Sequence, residues 1–140
     1  MINFYFEDID EITLSNSVLS SWISKVIDTN DKSIGDISYI FCSDKYILQV
    51  NKDYLNHDYY TDIITFNYNE GSIISGDLFI SLDTVKSNSQ LFNTPFTKEL
   101  NRVIIHGILH LIGYDDQSDE DQLEMTKQEN LSLELLKTIS

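Results

Sequence analysis

The stretch from His106 to Asp116 reads HGILHLIGYDD, and the rest of this 140-residue chain is interpreted around it. Two of the protein's three histidines, His106 and His110, lie four residues apart in its most apolar part. In a helix, residues i and i+4 share one face about 6 Å apart, so both imidazoles can reach one metal ion. Gly113 is expected to end the helix, and the chain can then turn to bring Asp116 to the same ion. The spacing predicts a metal site of His106, His110 and Asp116.

Two alternatives stand beside this prediction. A histidine on an apolar helix is usually a core residue with a hydrogen-bonded ring, and two ligands alone do not make a site. Asp116 could be only a solvated residue before the last helix, with Asp115 or His57 as the third ligand. A thermolysin-type peptidase is disfavoured because Gly107 stands where the HExxH motif needs its glutamate base. What remains is a metal with open positions that polarises a water or a phosphoryl oxygen.

Size and composition predict one domain over residues 1–140. Cys42 has no second cysteine to pair with and is expected to be a buried, inert thiol. The N-terminus turns acidic at once, unlike a signal peptide, and no apolar run has the length of a membrane span, so we expect a cytoplasmic protein without a membrane partner. The net charge of −14 opposes non-specific association with nucleic acid.

Hydrophobic periodicity and turn residues predict an α+β fold, with a single mixed four-stranded β-sheet covered by helices in the order β-α-β-α-β-β-α-α-α. Residues 61–66 and 76–81 are expected to pair as an antiparallel hairpin. Thr94 and Pro95 are expected to cap and open the helix that reaches Ile112. The other expected elements are strands over residues 2–6 and 37–42, a helix from Ser15 or Ser17, a helix from Ser43 or Asp44 to about Tyr54, a helix after Leu82, and a last helix capped by Ser118.

Residues 106–116 resemble the signature HGxLHLxGYDH of the YbeY family, the rRNA-maturation endoribonucleases of bacteria. Residues 61–66, TDIITF, resemble the family's TDVLSF strand, and GDL at residues 76–78 resembles its GDI strand. NKDY at residues 51–54 resembles its NxxYR segment. These segments follow the family's order and cover roughly residues 45 to 135, so the chain is identified as a member of this family.

The resemblance implies a zinc-dependent single-strand endoribonuclease that acts in 16S rRNA 3′-end maturation and ribosome quality control. Its partners would be ribosomal RNA, the small ribosomal subunit and ribosome-associated proteins. The family's three metal positions carry over onto His106, His110 and Asp116, with one zinc ion per chain. Another divalent transition metal is an alternative to zinc, because the family's third ligand is histidine and the carboxylate of Asp116 is a harder donor. Aspartate also leaves less positive charge on the metal, so a bound water should be less acidic.

A second departure concerns substrate binding. Leu55 stands where the family has an arginine, a natural contact for phosphate. His57 and Arg102 are candidates to replace it, although Arg102 could equally form an ion pair with Glu99 or another carboxylate. Lys45 and Lys52 are further candidates to hold the RNA backbone.

Asp77 is a candidate catalytic base, or a carboxylate that holds the far nitrogen of a ligating histidine. It could equally be a strand-edge residue bonded to backbone amides. The competing function is a ribosome-assembly factor whose metal is mainly structural and whose acidic surface binds proteins. Hydrolysis of a non-nucleic substrate is a third alternative, because a fold alone does not determine the reaction.

Overall fold

The computed structural model describes residues 1–55 and 61–139 of the chain. Within these ranges it contains one four-stranded sheet and five helices, in the order that the sequence predicts. The α+β class and the single mixed sheet are therefore confirmed. The elements are β1 (Ile2–Phe6), α1 (Asn16–Thr29), β2 (Ser33–Cys42), α2 (Asp44–Leu55), β3 (Ile63–Asn67), β4 (Ile73–Ser81), α3 (Leu82–Leu91), α4 (Phe96–Ile112) and α5 (Asp119–Ile139).

The strands lie in the spatial order β1-β2-β4-β3. The pairs β1–β2 and β2–β4 are parallel, whereas β3 and β4 form the expected antiparallel hairpin, with Thr65 opposite Leu78. The hairpin turn includes Gly71, whose φ of +58° favours glycine. Because β3 is the outer strand next to β4, the start of β3 lies at an open edge of the sheet.

The two faces of the sheet carry different cores, because alternate residues of a strand point to opposite sides. Ile74, Leu78 and Ile80 of β4 belong to the large core beneath α1 and α4. Phe79 instead packs with α2 against a smaller core that includes Ile64. Cys42 is buried in that smaller core, and burial raises the pKa of its thiol to about 12, with nearby carboxylates adding to the shift. This agrees with an inert thiol.

Helix α4 lies close against the sheet and is buried along most of its length. A Cβ atom at Gly107 would collide with the side chain of Leu78, and one at Gly76 would collide with the carbonyl of Phe66 and lie 3.2 Å from the side chain of Leu111 on α4. The buried Tyr39 hydroxyl of β2 donates a 2.9 Å hydrogen bond to the carbonyl of Ile104. The two glycines thus allow α4 to lie close to the sheet, and the Tyr39 hydroxyl ties the helix to β2.

Several boundaries differ from the sequence expectation. β2 begins at Ser33, four residues earlier than expected, and β4 begins at Ile73, three residues earlier. These extra residues pair with each other, and an irregularity in the register separates them from the rest of the β2–β4 pairing. The predicted Thr94 cap is wrong, since Pro95 is the N-cap of α4 and has no side chain to cap with. The N–H of Thr94 bonds to the carbonyl of Ser89, so Thr94 belongs to the turn that ends α3.

Helix α5 packs on α1 and α4, and one buried hydrogen bond ties it to α1. The indole N–H of Trp22 donates to the carbonyl of Ser132 over 2.7 Å. The hydroxyl of Ser43 caps α2, and that of Ser118 accepts from the N–H of Asp121 at the start of α5, as expected. None of the helices in the described ranges is both long enough and apolar enough to cross a membrane.

Replacing Trp22 by phenylalanine should lower the free energy of unfolding by about 2–4 kcal/mol, because the change removes a buried hydrogen bond from α1 to α5 and opens space in the core. Chemical denaturation followed by circular dichroism measures the change. Ser132→Ala is the matched control: it keeps the accepting carbonyl and removes only a hydroxyl bonded within α5, so it should cost about 1 kcal/mol or less. Equal losses in the two variants would contradict this account of the α1–α5 tie.

Candidate metal centre

Helix α4 presents its two histidines on one side, one turn apart. The rings of His106 and His110 lie edge to face, with centroids 4.6 Å apart and planes at 82°. The helix ends at Gly113, whose φ of +128° suits glycine and whose N–H bonds to the carbonyls of Leu109 and His110. The chain then reverses, and the carboxylate of Asp116 returns to both rings. The reversal expected from Gly113 is therefore observed.

The distances within this group match those between ligands of one metal ion. Oδ2 of Asp116 lies 3.4 Å from Nε2 of His106 and 3.4 Å from Nε2 of His110. Hydrogen bonds of nitrogen to oxygen are normally shorter, at about 2.7–3.2 Å. Two ligands at about 2.0–2.1 Å from a tetrahedral ion lie about 3.3–3.4 Å apart. The donor atoms of all three residues lie within 4.8 Å of one another, so this group could hold a metal ion.

Glu129 of α5 completes the surroundings of His106. Its Oε2 lies 2.6 Å from Nδ1 of His106, on the opposite side of the ring from Asp116. A carboxylate that holds the far nitrogen of a ligating histidine sets the tautomer and the orientation of the ring. The role considered for Asp77 is thus filled, in the structure, by Glu129.

Arg102 lies one turn before His106 on α4 and contacts α5, with its side chain partly exposed. Its Nη1 donates to Oε1 of Glu129 over 2.8 Å, and its Nη2 donates to Oδ1 of Asn130 over 3.0 Å. Of the two roles weighed for this arginine, the ion pair with a nearby carboxylate is observed. A phosphate contact by Arg102 stays a prediction.

The charges of these groups shift each other's protonation. Burial alone lowers the pKa of His106, but the hydrogen bond and charge of Glu129, together with Asp62 and Asp116, outweigh it and raise that pKa. Burial raises the pKa of Glu129, but hydrogen bonds from His106 and Arg102 outweigh it and lower that pKa. In the metal-free protein these contacts therefore favour the ionised form of Glu129 and the protonated form of His106.

Two further carboxylates approach this centre. Burial raises the pKa of Asp62, at the start of β3, and the charge of His106 partly opposes the shift. Burial also raises the pKa of Glu99 on α4, with Arg102 opposing it and Asp62 and Glu129 adding to it. Asp62 therefore lies within the electrostatic reach of His106.

Comparison with known proteins identifies the family. The sequence model of the family described as Endoribonuclease YbeY matches residues 5–137. The chain belongs to the YbeY family. It is 54% identical over 135 residues to "Endoribonuclease YbeY" of Parabacteroides distasonis, an alignment that covers 96% of this chain and 95% of the relative. It is 52% identical over 136 residues to the protein of that name from Bacteroides fragilis, covering 97% and 98% of the two chains.

The fold has a counterpart among solved structures. The solution structure of a protein from Thermotoga maritima superposes with a TM-score of 0.68 at 27% sequence identity. The alignment covers 97% of this chain and 89% of that one. The mixed sheet and the helix carrying the histidines therefore belong to an architecture that is also known from experiment.

The YbeY signature positions at His106, His110 and Asp116 are the three that the structure brings together. Asp115 makes a different contact: its Oδ1 accepts a hydrogen bond from the N–H of Asp116 over 2.8 Å. Leu55, at the position of the family's arginine, is the last residue of α2 and is partly exposed. His57, the other candidate third ligand and candidate substrate contact, lies outside the described residues.

The remaining candidates lie on the other face of the sheet. The side chain of Asp77 alternates with that of Leu78 and so points away from α4. The structure does not bring Asp77 to the histidines, and its catalytic role stays a prediction without support from the geometry. Lys45 and Lys52 lie on α2, which packs against that same second face.

Sequence reasoning missed Glu129, although a signal for it exists. Met125, Glu129 and Ser132 form the buried line of α5, at spacings of four and three residues. A carboxylate on the buried side of an amphipathic helix needs a hydrogen-bonding or charged partner. Glu129 could have been singled out on that ground, but its partner could not have been named.

Replacing Asp116 by alanine should lower the affinity for divalent metal by more than about 100-fold, because it removes a direct ligand and such losses exceed those at supporting positions. Competition with a chromophoric chelator measures the affinity. Asp115→Asn is the matched control: it removes a neighbouring charge, keeps the oxygen that accepts the N–H of Asp116, and should change the affinity by only a few-fold. Equal losses in the two variants would point to bulk charge rather than ligation.

The metal affinity should rise with pH. The pKa of His106 is raised in the metal-free protein, so the proton competes with the metal to a higher pH than the ordinary histidine value of about 6.5 would allow. Titrations of the metal-free protein at several pH values between about 6 and 8.5, corrected for the chelator, measure this dependence. An affinity that is already constant at and above pH 6.5 would contradict the raised pKa.

Proposed function

We propose that this protein is a zinc-dependent endoribonuclease that cleaves single-stranded RNA during maturation of the 3′ end of 16S ribosomal RNA and takes part in ribosome quality control. Its partners would be ribosomal RNA and the small ribosomal subunit, with ribosome-associated proteins as further contacts, in the cytoplasm. Membership of the YbeY family and the endoribonuclease names of its relatives support the reaction class.

One observation carries the proposal. Nε2 of His106, Nε2 of His110 and Oδ2 of Asp116 converge at distances that suit three ligands of one ion. Two imidazole nitrogens and one carboxylate oxygen are a donor set that zinc accepts in catalytic sites with three protein ligands. All three side chains are partly exposed, so the group can be approached from solvent.

The protein's part in such a reaction is binding and orientation. A zinc ion held there would polarise a phosphoryl oxygen and lower the pKa of a bound water. Asp116 contributes negative charge where the family has a neutral imidazole, which favours a less acidic water. Gly107 supplies no side chain, so the glutamate base of HExxH peptidases has no counterpart at that position. Asp62, at the edge of the sheet, is a second carboxylate outside the ligand set, besides Glu129, that affects His106 electrostatically.

The charge of the chain restricts how it can bind RNA. A net charge of −14 repels a polyanion at long range, so affinity must come from the bound cation and from local contacts. A protein that binds in this way should discriminate strongly against substrates that cannot place a phosphate at the metal. Single strands satisfy that condition more readily than a duplex, because their backbone can bend into the site.

Replacing His110 by alanine should lower cleavage of a single-stranded fragment from the 3′ end of precursor 16S rRNA by about 10³-fold or more, since metal assistance contributes several kcal/mol. Gel analysis of end-labelled RNA with nuclease-free protein measures the rate. Wild-type protein stripped of metal and then reloaded with zinc is the control, and it should regain its rate. Unchanged cleavage by His110→Ala would show that the activity comes from elsewhere.

A second function has support of its own. The family's arginine is replaced by Leu55, and Arg102 is bonded to Glu129 and Asn130. Together with the charge of −14, these observations favour an assembly factor with a mainly structural metal and protein partners. The functions separate in a maturation-defective bacterial strain: a folded variant that binds metal but does not cleave RNA restores growth only if assembly is the function.

A further inference from the structure

We propose that Arg102 and Glu129 form a positioning pair for the metal centre, which holds the ring of His106 with its Nε2 toward Asp116. In this assignment Arg102 acts on the protein's own ligand and not on the RNA phosphate. The inference rests on the proposed metal site, and it is independent of which reaction the metal serves.

The contact with Glu129 determines which nitrogen of the His106 ring carries the proton. An ionised carboxylate can only accept hydrogen bonds, so the 2.6 Å contact with Oε2 of Glu129 requires the proton to be on Nδ1. The neutral ring then carries its lone pair on Nε2, the atom that faces Asp116. Glu129 thus selects the tautomer that can bind a metal and prevents rotation of the ring about its bond to the helix.

Arg102 in turn holds the carboxylate of Glu129. Its two oxygens are assigned to different partners, Oε2 to His106 and Oε1 to Nη1 of Arg102 over 2.8 Å. Glu129 is only 7% exposed, and leaving a charge at such a depth without a partner would be costly. Arg102 supplies that partner, and the second guanidinium contact with Asn130 holds it against α5. Because two guanidinium nitrogens bind α5, the planar group has a defined orientation.

The surroundings of the Arg102–Glu129 pair add further negative charge. Glu99 adds its negative charge to that of Glu129 around the same arginine. A guanidinium bonded to one carboxylate and close to another attracts an RNA phosphate less strongly than a free arginine does. The structure therefore explains why Arg102, although it lies one turn before His106, need not supply the phosphate contact that the family's arginine would make at the position of Leu55.

A purely structural role, as a tie between α4 and α5, is the main alternative. Such a tie would affect the stability of the fold but not the tautomer of His106 or the relative effects of conservative replacements. The test therefore combines two measurements that need no RNA cleavage: the tautomer of His106 in zinc-free protein, and zinc affinity by chelator competition. Nitrogen-15 NMR at a pH where the ring is neutral distinguishes a proton on Nδ1 from one on Nε2.

Wild-type protein should show the proton of His106 on Nδ1. Glu129→Ala should move it toward Nε2, and Glu129→Gln, which keeps an accepting oxygen but loses the charge, should be intermediate. The zinc affinity should fall by about 10–100-fold in Glu129→Ala and by less in Glu129→Gln. Arg102→Gln should lower the affinity by up to about 10-fold, and Arg102→Lys should recover part of that loss because the charge returns without the second contact.

Glu124→Gln is the matched control. It removes one charge from α5 at an exposed carboxylate that is bonded only to Gln128 among the described residues, so it should leave both readouts within about 2-fold of wild type. If Glu129→Ala does not fold, Glu129→Gln carries the test, because it has nearly the same shape. Circular dichroism of each zinc-free variant separates loss of fold from loss of affinity.

Two results would overturn the proposal. One is wild-type zinc affinity and an unchanged His106 tautomer in both Glu129 variants. The other is an Arg102→Gln protein with wild-type zinc affinity but weaker, less salt-dependent binding of single-stranded RNA, which would make Arg102 a phosphate contact. Absence of RNA cleavage by the wild type, with the expected order of zinc affinities intact, would reject the proposed function and leave this inference standing.

Discussion

The close approach of α4 to the sheet at Gly107 is the constraint on which the rest of this structure depends. Any side chain there would enter the space of Leu78, so the helix would have to move outward. Gly76 allows a similar approach beneath Leu111, and the hydroxyl of Tyr39 fixes the height of the helix. With α4 placed in this way, its histidines emerge beside the open edge at β3, where they remain partly exposed although the helix is buried.

The candidate metal centre joins helix α4 to a turn and to a second helix. His106 and His110 come from the buried helix α4, and Asp116 comes from the turn after Gly113. The buried face of α5 adds Glu129, and the Trp22 bond to Ser132 holds that helix in place. The helix that contacts the candidate ligand His106 is thus also the helix that is bonded to α1.

The electrostatics of the centre are unusual for a site proposed to act on RNA. Asp116, Glu129, Glu99 and Asp62 place four carboxylates around two histidines and one arginine. Such an environment favours a divalent cation and opposes a phosphate until the cation is bound. Binding of metal and binding of substrate should therefore be strongly coupled, as expected for a protein whose overall charge is −14.

The sequence by itself determined the order of elements, the hairpin and the set of three candidate metal ligands. These features are local: helical periodicity, turn residues and an i, i+4 histidine pair need no knowledge of distant contacts. Only the tertiary structure decided the partner of His106, because Glu129 lies 23 residues away and is one of many acidic residues in the last third of the chain. It also decided that Arg102 bonds to α5 and that Asp77 faces away from α4, because strand alternation and helix packing assign side chains to faces. Ligand spacing is a property of one helix, whereas the environment of each ligand is a property of how helices and sheet pack.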